Sequence, residues 1–508
     1  MEIFSGLATV FSSPGLIGWV VLASVVGMVV GAIPGLTASA AIAMLLPVTF
    51  FMDPLSALAF LYVIGKSGRY GGSIAAILFN TPGTAASAAT QIDGYPRSQM
   101  GQSSKAMRVA TVSSVIGDYV GEILLICGVG LIAAIALMLG PPELFAVYFA
   151  AFVVIGSVIG KSIIKGLASA ALGVLLKMVG TDPITAGERY TFGSFDLVGG
   201  IGLVPLMIGI FVLAEVFSQL ENKDQKVEQI EDPSSEAAKA RNRLTWREYK
   251  PCLSHVIRSS FIGAFIGILP GLGSAIAAFV AYGEGKRRAK NPESWGKGAL
   301  EGIAAPEAAN NAVSGPSMAP LLTLGIPGST IGAILVGVFL IHGIQVGPTL
   351  LVTSKELIYS LFAAGLLGIA CYGLIGYFGA AAVGRVIVKI PTRVLYPLVF
   401  LTSFVAAYAS HGNLFDVWVM VAAGFGGWLM KKLDFNPAAF VISFVLAGGA
   451  EEAFRQSLLL SDNGLLIFVM RPVALAFILL GLIAVIMRVR TLSRQARMHD
   501  LGDAGTGL

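Results

Sequence analysis

Cysteine and histidine are scarce in this chain of 508 residues. The three cysteines, Cys127, Cys252 and Cys371, are far apart and show none of the short spacings that are typical of metal-binding or redox motifs. The four histidines are equally isolated. The pattern therefore predicts neither a disulfide framework nor a metal site.

Charge is also scarce, because charged residues make up 12% of the chain and hydrophobic residues 56%, with a mean hydropathy of +0.81. Soluble domains carry about 25% charged residues, so the composition predicts a polytopic membrane protein. Long apolar runs without alternation favour helices over a barrel. We expect an all-α fold of roughly ten to twelve transmembrane helices with broken or re-entrant segments. Basic loops account for the net charge of +5, and nothing indicates a nucleic-acid partner.

Catalytic motifs are missing as well. The sequence contains no Ser/His/Asp or HExxH arrangement. Residues 156–162, GSVIGKS, resemble a phosphate-binding loop but are one residue short of its spacing and lie in an apolar run. We therefore expect that the chain is not an enzyme and uses no cofactor.

Four Pro-Gly pairs interrupt apolar stretches that are long enough to span a membrane. They are Pro34-Gly35, Pro82-Gly83, Pro270-Gly271 and Pro327-Gly328. Residues 27–36, GMVVGAIPGL, resemble residues 263–272, GAFIGILPGL, and residues 72–83 recur loosely as residues 315–328. The sequence therefore indicates a duplication, and broken helices at matching places of two halves are typical of transporter substrate sites.

The distribution of charge predicts the boundaries and the topology of the halves. We expect a first membrane half at 1–217, a polar linker at 218–255, a second membrane half at 256–487 and a basic tail at 488–508. The loop 284–298 is rich in lysine and arginine, whereas its counterpart at 51–54 has no basic residue. Conversely, the first-half loop 91–108 contains Arg97, Lys105 and Arg108, whereas its counterpart in the second half, 342–356, contains only Lys355. Opposite charge in equivalent loops predicts inverted topology.

Each break is followed within four residues by a hydroxyl side chain that is suited to cap the restarting helix. Unpaired N–H groups at such a restart attract an anion such as a carboxylate, and carbonyl groups at the opposing helix ends suit Na⁺. The alternative is that the Pro-Gly pairs only kink packed helices. The candidate site residues are Pro34, Gly35, Thr37, Ser73, Asn80, Thr81, Pro82, Gly83, Thr84, Pro270, Gly271, Ser274, Glu307, Asn310, Asn311, Pro327, Gly328 and Ser329.

The polar candidates near the breaks have two interpretations each. Ser73, Asn80 and Thr81 either bind a carboxylate or an ion, or satisfy backbone groups that the break frees. Glu307 lies in the stretch EGIAAPEAANN at 301–311. Within the membrane it is a candidate for cation or proton coupling; at the interface it is an acid near a helix N-terminus.

Other charged residues in apolar runs also leave alternatives. Lys66 and Arg69 either attract an anion or extend to the membrane interface. Asp118 and Glu122, spaced i and i+4, either face a partner or pair with a basic residue. Small residues allow close helix packing at the pairs Gly27/Gly31, Gly117/Gly121, Gly156/Gly160 and Gly263/Gly267.

Several longer motifs carry a family resemblance. They are GAIPGLTASAAIAMLLPVTF, YGGSIAAILFNTPG followed by DGYP, GILPGLGSAIAAFVAYGEGK, EGIAAPEAANNA and PLLTLGIPGS. Over most of the chain, from about Gly27 to the late helices, the sequence resembles the large membrane subunit of the tripartite tricarboxylate transporters, the TctA type. The resemblance implies a bacterial inner-membrane permease, a small membrane partner subunit, and a periplasmic solute-binding protein that delivers a carboxylate.

We therefore expect a carboxylate importer that is coupled to Na⁺ or H⁺ and surrounded by membrane lipid. The resemblance implies secondary transport driven by an ion gradient. A channel, or a scaffold for a partner subunit, is the alternative, since broken helices also line pores.

Overall fold

The computed structural model describes residues 2–33, 37–158, 162–182, 184–221, 241–389 and 392–505. Helices dominate these ranges, and their only strands form a short hairpin. The first helices are α1 (Glu2–Ser12), α2 (Pro14–Gly31), α3 (Ala38–Leu45), α4 (Pro54–Phe79), α5 (Ser87–Arg97), α6 (Ser103–Ala136), α7 (Pro141–Val158) and α8 (Ile163–Lys177). The hairpin pairs β1 (Gly180–Thr181) antiparallel with β2 (Glu188–Arg189).

The chain after the hairpin is again helical. Its first helices are α9 (Leu203–Met207), α10 (Ala214–Glu221), α11 (Trp246–Tyr249), α12 (Leu253–Ile268), α13 (Gly273–Arg288), α14 (Leu300–Ala312), α15 (Met318–Leu324) and α16 (Thr330–Ile341). The last are α17 (Leu350–Thr353), α18 (Lys355–Lys389), α19 (Thr392–His411), α20 (Leu414–Lys432), α21 (Pro437–Leu459), α22 (Ile467–Met470) and α23 (Pro472–Gly505).

The helices confirm an all-α, multi-pass membrane protein. Eight helical stretches in the described residues are long and apolar enough to cross a membrane. Five shorter apolar helices accompany them, among them α3 and α16, which follow Pro-Gly breaks. Interrupted helices thus replace some of the full-length spans that the composition predicts.

Contacts divide the chain into two compact units. The first contains residues 1–134 and 202–428, and the second contains residues 135–201 and 429–508. The first unit includes all four Pro-Gly breaks and therefore draws on both predicted halves. The halves themselves, their linker and their inverted topology remain predictions.

Helix α4 lies at the centre of the first unit, where every residue from Ser56 to Ile77 is buried. Glycines bring the neighbouring helices close to it and to α14. A Cβ added to Gly31 of α2 would lie 2.2 Å from the Gly68 carbonyl oxygen of α4. Gly117 of α6 and Gly263 of α12 approach the α14 backbone in the same way. Three of the predicted glycine packing pairs are therefore confirmed, while Gly160 of the fourth lies outside the described residues.

The second unit packs α7, α8, α21 and α23 together. Phe145 of α7 contacts Phe454 and Phe468, with ring centroids 4.9 and 4.8 Å apart. The hairpin is tied to α21 by ion pairs, of which Arg189 to Glu451 measures 2.6 Å between Nη1 and Oε1. This unit contains none of the predicted site residues.

Candidate functional site

At the first break, α2 ends at Gly31 and α3 restarts behind a hydroxyl cap. The Thr37 side chain accepts the Ala40 N–H at 3.2 Å, as expected for an N-cap residue. Pro34 and Gly35 lie outside the described residues. The cap predicted at Thr37 is confirmed.

At the second break, α4 ends in a left-handed residue. Asn80 has φ 56° and ψ 22°, a conformation in which asparagine is enriched among non-glycine residues. Its main-chain and side-chain oxygens both accept hydrogen bonds from Gln91 of α5, at 2.7 and 2.6 Å. The Thr84 hydroxyl accepts the Ser87 N–H at 3.2 Å, so it satisfies the first N–H of α5. A hydroxyl group thus accepts a helix N–H at the second restart too.

At the third break, the predicted hydroxyl cap is wrong. Helix α13 begins at Gly273, its N-cap Leu272 provides no side-chain acceptor, and Ser274 lies inside the first turn. The reason is local, because Gly271 and Gly273 have φ values of 84° and 70°. Only glycine adopts such angles at little cost, and the turn they make starts the helix ahead of the serine.

The fourth break repeats the second. Gly325 ends α15 with φ 71° and precedes its Pro-Gly pair by two residues, as Asn80 does. Ser329 is the N-cap of α16, and its hydroxyl accepts the Gly332 N–H at 3.2 Å. The cap predicted at Ser329 is therefore confirmed.

The breaks meet in matched pairs inside the first unit. A Cβ on Gly83 would lie 2.3 Å from the Gly31 carbonyl oxygen, so the first two breaks touch. The Gly271 N–H donates to the Gly328 carbonyl at 3.2 Å, which joins the last two. The restarting helices are also in contact, α3 with α16 and α5 with α13. The structure thus gathers the Pro-Gly candidates, apart from the undescribed pair, into one region.

A row of polar side chains along one face of α4, here called the α4 stripe, contacts a similar row on α6, called the α6 stripe. The residues of the α4 stripe recur at i, i+4, i+7 and i+11, which places them on one helix face. The two stripes meet through buried hydrogen bonds and ion pairs. They consist of Tyr62, Lys66, Arg69 and Ser73 on α4 and of Ser114, Asp118 and Glu122 on α6.

Lys66 is fully paired. Its Nζ lies 2.6 Å from Asp118 Oδ1 and 2.8 Å from Glu122 Oε2, and all three side chains are inaccessible to solvent. Tyr62 donates to Glu122 Oε2 at 2.8 Å, and Tyr372 of α18 donates to Asp118 Oδ2 at 3.1 Å. Pairing of the two acids with a basic residue is therefore confirmed, and extension of Lys66 to the membrane interface is wrong.

Arg69, one turn further along α4, is buried but unpaired. Only 7% of the residue is exposed, and no carboxylate among the described residues lies within ion-pair distance of it. Its Nη1 has no hydrogen-bond partner there. Arg69 borders a cavity of about 10 Å³ together with the restart of α16. The cavity is lined by Tyr62, Gly65, Arg69, Ser314, Ser317, Met318, Ser329, Ile331 and Gly332.

Glu307 of α14 is the second unusual charge, since it is completely buried among hydroxyl groups. Ser73 of α4 donates to Oε1 at 2.5 Å, Thr90 of α5 donates to the same oxygen, and Ser114 of α6 donates to Oε2 at 2.7 Å. No cationic side chain of the described residues pairs with Glu307. Four helices thus meet at this carboxyl group.

The remaining polar candidates differ in their surroundings. Asn311 donates from Nδ2 to the Ser114 hydroxyl at 2.9 Å and so joins the Glu307 cluster. Asn310 is buried, and neither its amide nitrogen nor its amide oxygen has a partner among the described residues. Asn310 lies four residues before Ser314, which belongs to the turn that follows α14. Thr81 also has a buried hydroxyl oxygen without a partner in the part of the chain that the structure describes.

Asp93, in the DGYP motif, fixes α5 to the start of α14. Its Oδ1 accepts the N–H groups of Gly296, Gly298 and Ala299 at 2.8–2.9 Å, and its Oδ2 accepts the Tyr282 hydroxyl at 2.9 Å. All four donors thus point at the carboxyl group of Asp93. The arrangement holds the Glu307 helix against the helix that restarts after the second break.

The sequence interpretation missed Thr90 and Ser114, and it left Arg69 between attraction of an anion and extension to the membrane interface. The spacing of the α4 and α6 stripes was available in the sequence, because polar residues at helical intervals in an apolar run must share a face. Spacing does not tell which member of a stripe finds a partner. That distinction between Lys66 and Arg69 appears only in the folded chain.

Comparisons with known proteins give a consistent result. The sequence model described as "Tripartite tricarboxylate transporter TctA family" matches residues 17–442. The "Uncharacterized 52.8 kDa protein in TAR-I ttuC' 3'region" of Agrobacterium vitis is 34% identical over 508 residues, covering 98% of each chain. The "Uncharacterized protein in TAR-II ttuC' 3'region" of the same organism is 34% identical over 240 residues, covering 46% of this chain and 97% of that protein. These matches confirm the resemblance that the Pro-Gly motifs carry.

Proposed function

Because this chain belongs to the tripartite tricarboxylate transporter TctA family, we propose that it is the large permease subunit of a binding-protein-dependent secondary transporter. It lies in the inner membrane of a bacterium and imports a tricarboxylate or dicarboxylate with a coupling ion. A periplasmic solute-binding protein delivers the substrate. A small membrane subunit completes the complex.

The observation that supports this proposal best is the unpaired Arg69 beside the restart of α16. A buried charged donor without an acceptor costs about 1–3 kcal/mol or more. A carboxylate removes that cost, because it matches the forked geometry of a guanidinium group with two parallel hydrogen bonds. We assign one substrate carboxylate to Arg69.

The surroundings of Arg69 favour an anion in two further ways. The first N–H groups of a helix have no acceptor within the helix, and the helix dipole makes that end positive. Ser329 and Ile331 bring the α16 end to the cavity, and Ser314 adds a hydroxyl group to its lining. Asn310, near the end of α14, is a buried amide without a partner among the described residues. Together these groups form a binding site for a carboxylate in which Arg69 is the only basic side chain among the lining residues.

The cavity has to widen during transport. Its volume of about 10 Å³ is close to the minimum for one water molecule, which is too small for a tricarboxylate. The breaks on either side provide the movement in this proposal, since left-handed residues end both α4 and α15. A closed cavity between broken helices is what alternating access requires in one of its steps.

The test is uptake into proteoliposomes that contain this chain, the small membrane subunit and the binding protein. We expect saturable uptake of a carboxylate that depends on an ion gradient. Arg69→Gln should lower uptake about 10- to 100-fold, since hydrogen bonds to charged groups contribute about 1.5–3 kcal/mol. Arg69→Lys should be intermediate, because it keeps the charge but not the fork.

The matched control is Arg258→Gln. Arg258 is half-buried on α12, and among the described residues its hydrogen bonds reach only Ser254 of the same helix. Its variant should transport like the parent. Equal uptake by the Arg69 and Arg258 variants would contradict the carboxylate assignment, and flux without saturation would indicate a channel. Full uptake without the binding protein or the small subunit would contradict the partner dependence.

A further inference from the structure

Two buried carboxyl groups of the first unit, Asp93 and Glu307, differ in the donors that surround them. Three of the four donors to Asp93 are backbone N–H groups. An N–H cannot accept a hydrogen bond, so a proton on Asp93 Oδ1 would face three donors, and only Oδ2, beside the Tyr282 hydroxyl, has a partner that could accept one. All three side-chain donors to Glu307 are hydroxyl groups. Because a hydroxyl both donates and accepts, this shell satisfies Glu307 in either protonation state.

The place of Glu307 links it to the moving parts. Thr90 lies on α5, which restarts after the second break, and Ser73 lies one turn beyond Arg69 on α4. Glu307 itself is one turn before Asn311 on α14, and the turn that follows this helix contains Ser314, which lines the Arg69 cavity. Movement of α5 or α14 therefore has to rearrange the hydroxyl groups around the carboxyl group.

We propose that Glu307 carries the coupling proton of this transporter. The proposal rests on the proposed function and deepens it by naming the coupling site. A hydronium ion on the outer side gives up one O–H bond and leaves as water, the carboxylate of Glu307 gains that O–H bond, and the neutral acid donates to one of the three hydroxyl oxygens. After the site opens inward, the same O–H bond breaks and the proton passes to water on the inner side.

The geometry favours a proton over a metal cation. The hydroxyl oxygens of Ser73 and Ser114 lie 2.5 and 2.7 Å from the Glu307 oxygens, as direct hydrogen bonds. An ion that takes six or more oxygen ligands would have to separate these groups.

The groups that face Glu307 from each neighbouring helix are known, which makes the expected pH response specific. They are the hydroxyl groups of Ser73 on α4, Thr90 on α5 and Ser114 on α6. The nearby tyrosines have other partners, since Tyr70 is hydrogen-bonded to Thr111 and Tyr372 to Asp118. No other acid, lysine or arginine of the described residues bonds to its carboxyl group. Substitution of this single side chain should therefore remove the proton dependence.

The experiment uses the whole complex in proteoliposomes with citrate as the probe. In each preparation we would measure accumulation driven by an inward proton gradient and exchange of labelled for unlabelled citrate at equal pH. Glu307→Gln should lose accumulation above equilibrium and its pH dependence, so that the ratio of accumulation to exchange collapses. Glu307→Asp, which keeps a carboxyl group, should recover part of that ratio. The exposed Glu293→Gln is the matched control and should keep it.

The outcomes separate this inference from the proposed function. Accumulation by Glu307→Gln that still follows the proton gradient overturns the inference, as does wild-type accumulation that follows a Na⁺ gradient alone. Absence of exchange in the wild-type complex overturns the proposed function instead. If the glutamine variant fails to assemble, proton uptake on citrate binding to the wild-type complex in weakly buffered solution decides. Proton uptake whose pH dependence shifts in Glu307→Asp supports Glu307 as the carrier. No proton uptake, or uptake with the same pH dependence in Glu307→Asp, overturns the inference.

Discussion

Lys66 and Arg69 lie one turn apart on the same face of α4, yet their surroundings differ. Lys66 contacts two carboxylates directly and is closed off from solvent by Tyr62. Arg69 has no carboxylate partner among the described residues and borders a cavity. The two positions share a helix, a charge and a buried environment, so the difference lies in what each charge is paired with.

This difference separates structural from functional charge. The Lys66 cluster is held together by direct contacts of the ammonium group with Asp118 and Glu122. Arg69 has no such contact among the described residues, so its hydrogen-bonding capacity is left for a ligand. We infer that α4 uses its first cation to hold α6 in place and its second to bind the substrate.

The largest expected effect is a loss of stability at Lys66, the cation that has carboxylate partners. Lys66→Met leaves Asp118 and Glu122 buried without their cation, and removing one partner of a buried ion pair typically costs about 3–5 kcal/mol. We expect strongly reduced membrane abundance and a lower thermal unfolding temperature of the purified protein, whereas Arg69→Gln should keep both. Introducing Asp118→Asn and Glu122→Gln alongside Lys66→Met should recover part of the stability. A stable Lys66→Met protein would remove the distinction between the two cations.

A smaller effect is expected at Asn80, whose side chain lies outside the cavity and is exposed. Its left-handed backbone costs other L-residues about 1–2 kcal/mol. Asn80→Ala should therefore destabilise the end of α4 by about that amount. Asn80→Gly, which matches Gly325 at the equivalent end, should keep both stability and uptake.

The two Asn80 variants decide between its interpretations. Uptake and thermal unfolding of both would be measured in the same preparations. Equal loss of uptake in the glycine and alanine variants, without loss of stability, would show that the Asn80 amide binds substrate. The predicted role of Asn80 in the site depends on that result.

The smallest effect is expected at an ion-pair cluster near solvent, in the hairpin of the second unit. Backbone hydrogen bonds from Thr185 and Ile184, and then the bond from Arg455, hold the pKa of Asp182 well below its usual range. Because the folded-state pKa is lower than the unfolded one, Asp182 stabilises the hairpin above about pH 4. That contribution is lost only as the pH falls through the lowered pKa.

Hydrogen exchange of the hairpin amides would check this. Protection should change little between pH 7 and pH 4 in the parent protein and decline in stronger acid. Asp182→Asn should reduce protection at pH 7 and weaken its dependence on acid. Loss of amide protection in the parent hairpin near pH 4, where ordinary carboxylates titrate, would contradict the lowered pKa of Asp182. Unlike Lys66→Met, this variant should leave membrane abundance nearly unaffected, since Arg189 and Arg455 keep Glu451 as an ion-pair partner.

Individual residues show how far the sequence alone could be interpreted. Thr37 and Ser329 were predictable as caps, because capping depends on a few consecutive residues. Ser274 was wrongly predicted to be a cap, because the positive φ angles of the preceding Gly271 and Gly273 place the helix start before the serine. The Glu307 stretch was singled out, but Ser73, Thr90 and Ser114 could not be assigned to it. Thr90 precedes Glu307 by 217 residues, and no local pattern relates them.

The sequence by itself determined that the chain is a helical membrane protein with four interrupted helices, and its motifs determined the family. Composition and backbone chemistry act locally, so they can be interpreted from neighbouring residues. Tertiary structure decided which charges are satisfied. Lys66 meets Asp118 across 52 residues, and Ser73 meets Glu307 across 234. Only the packing of distant helices places those groups within hydrogen-bond distance, and only that packing leaves Arg69 beside a cavity.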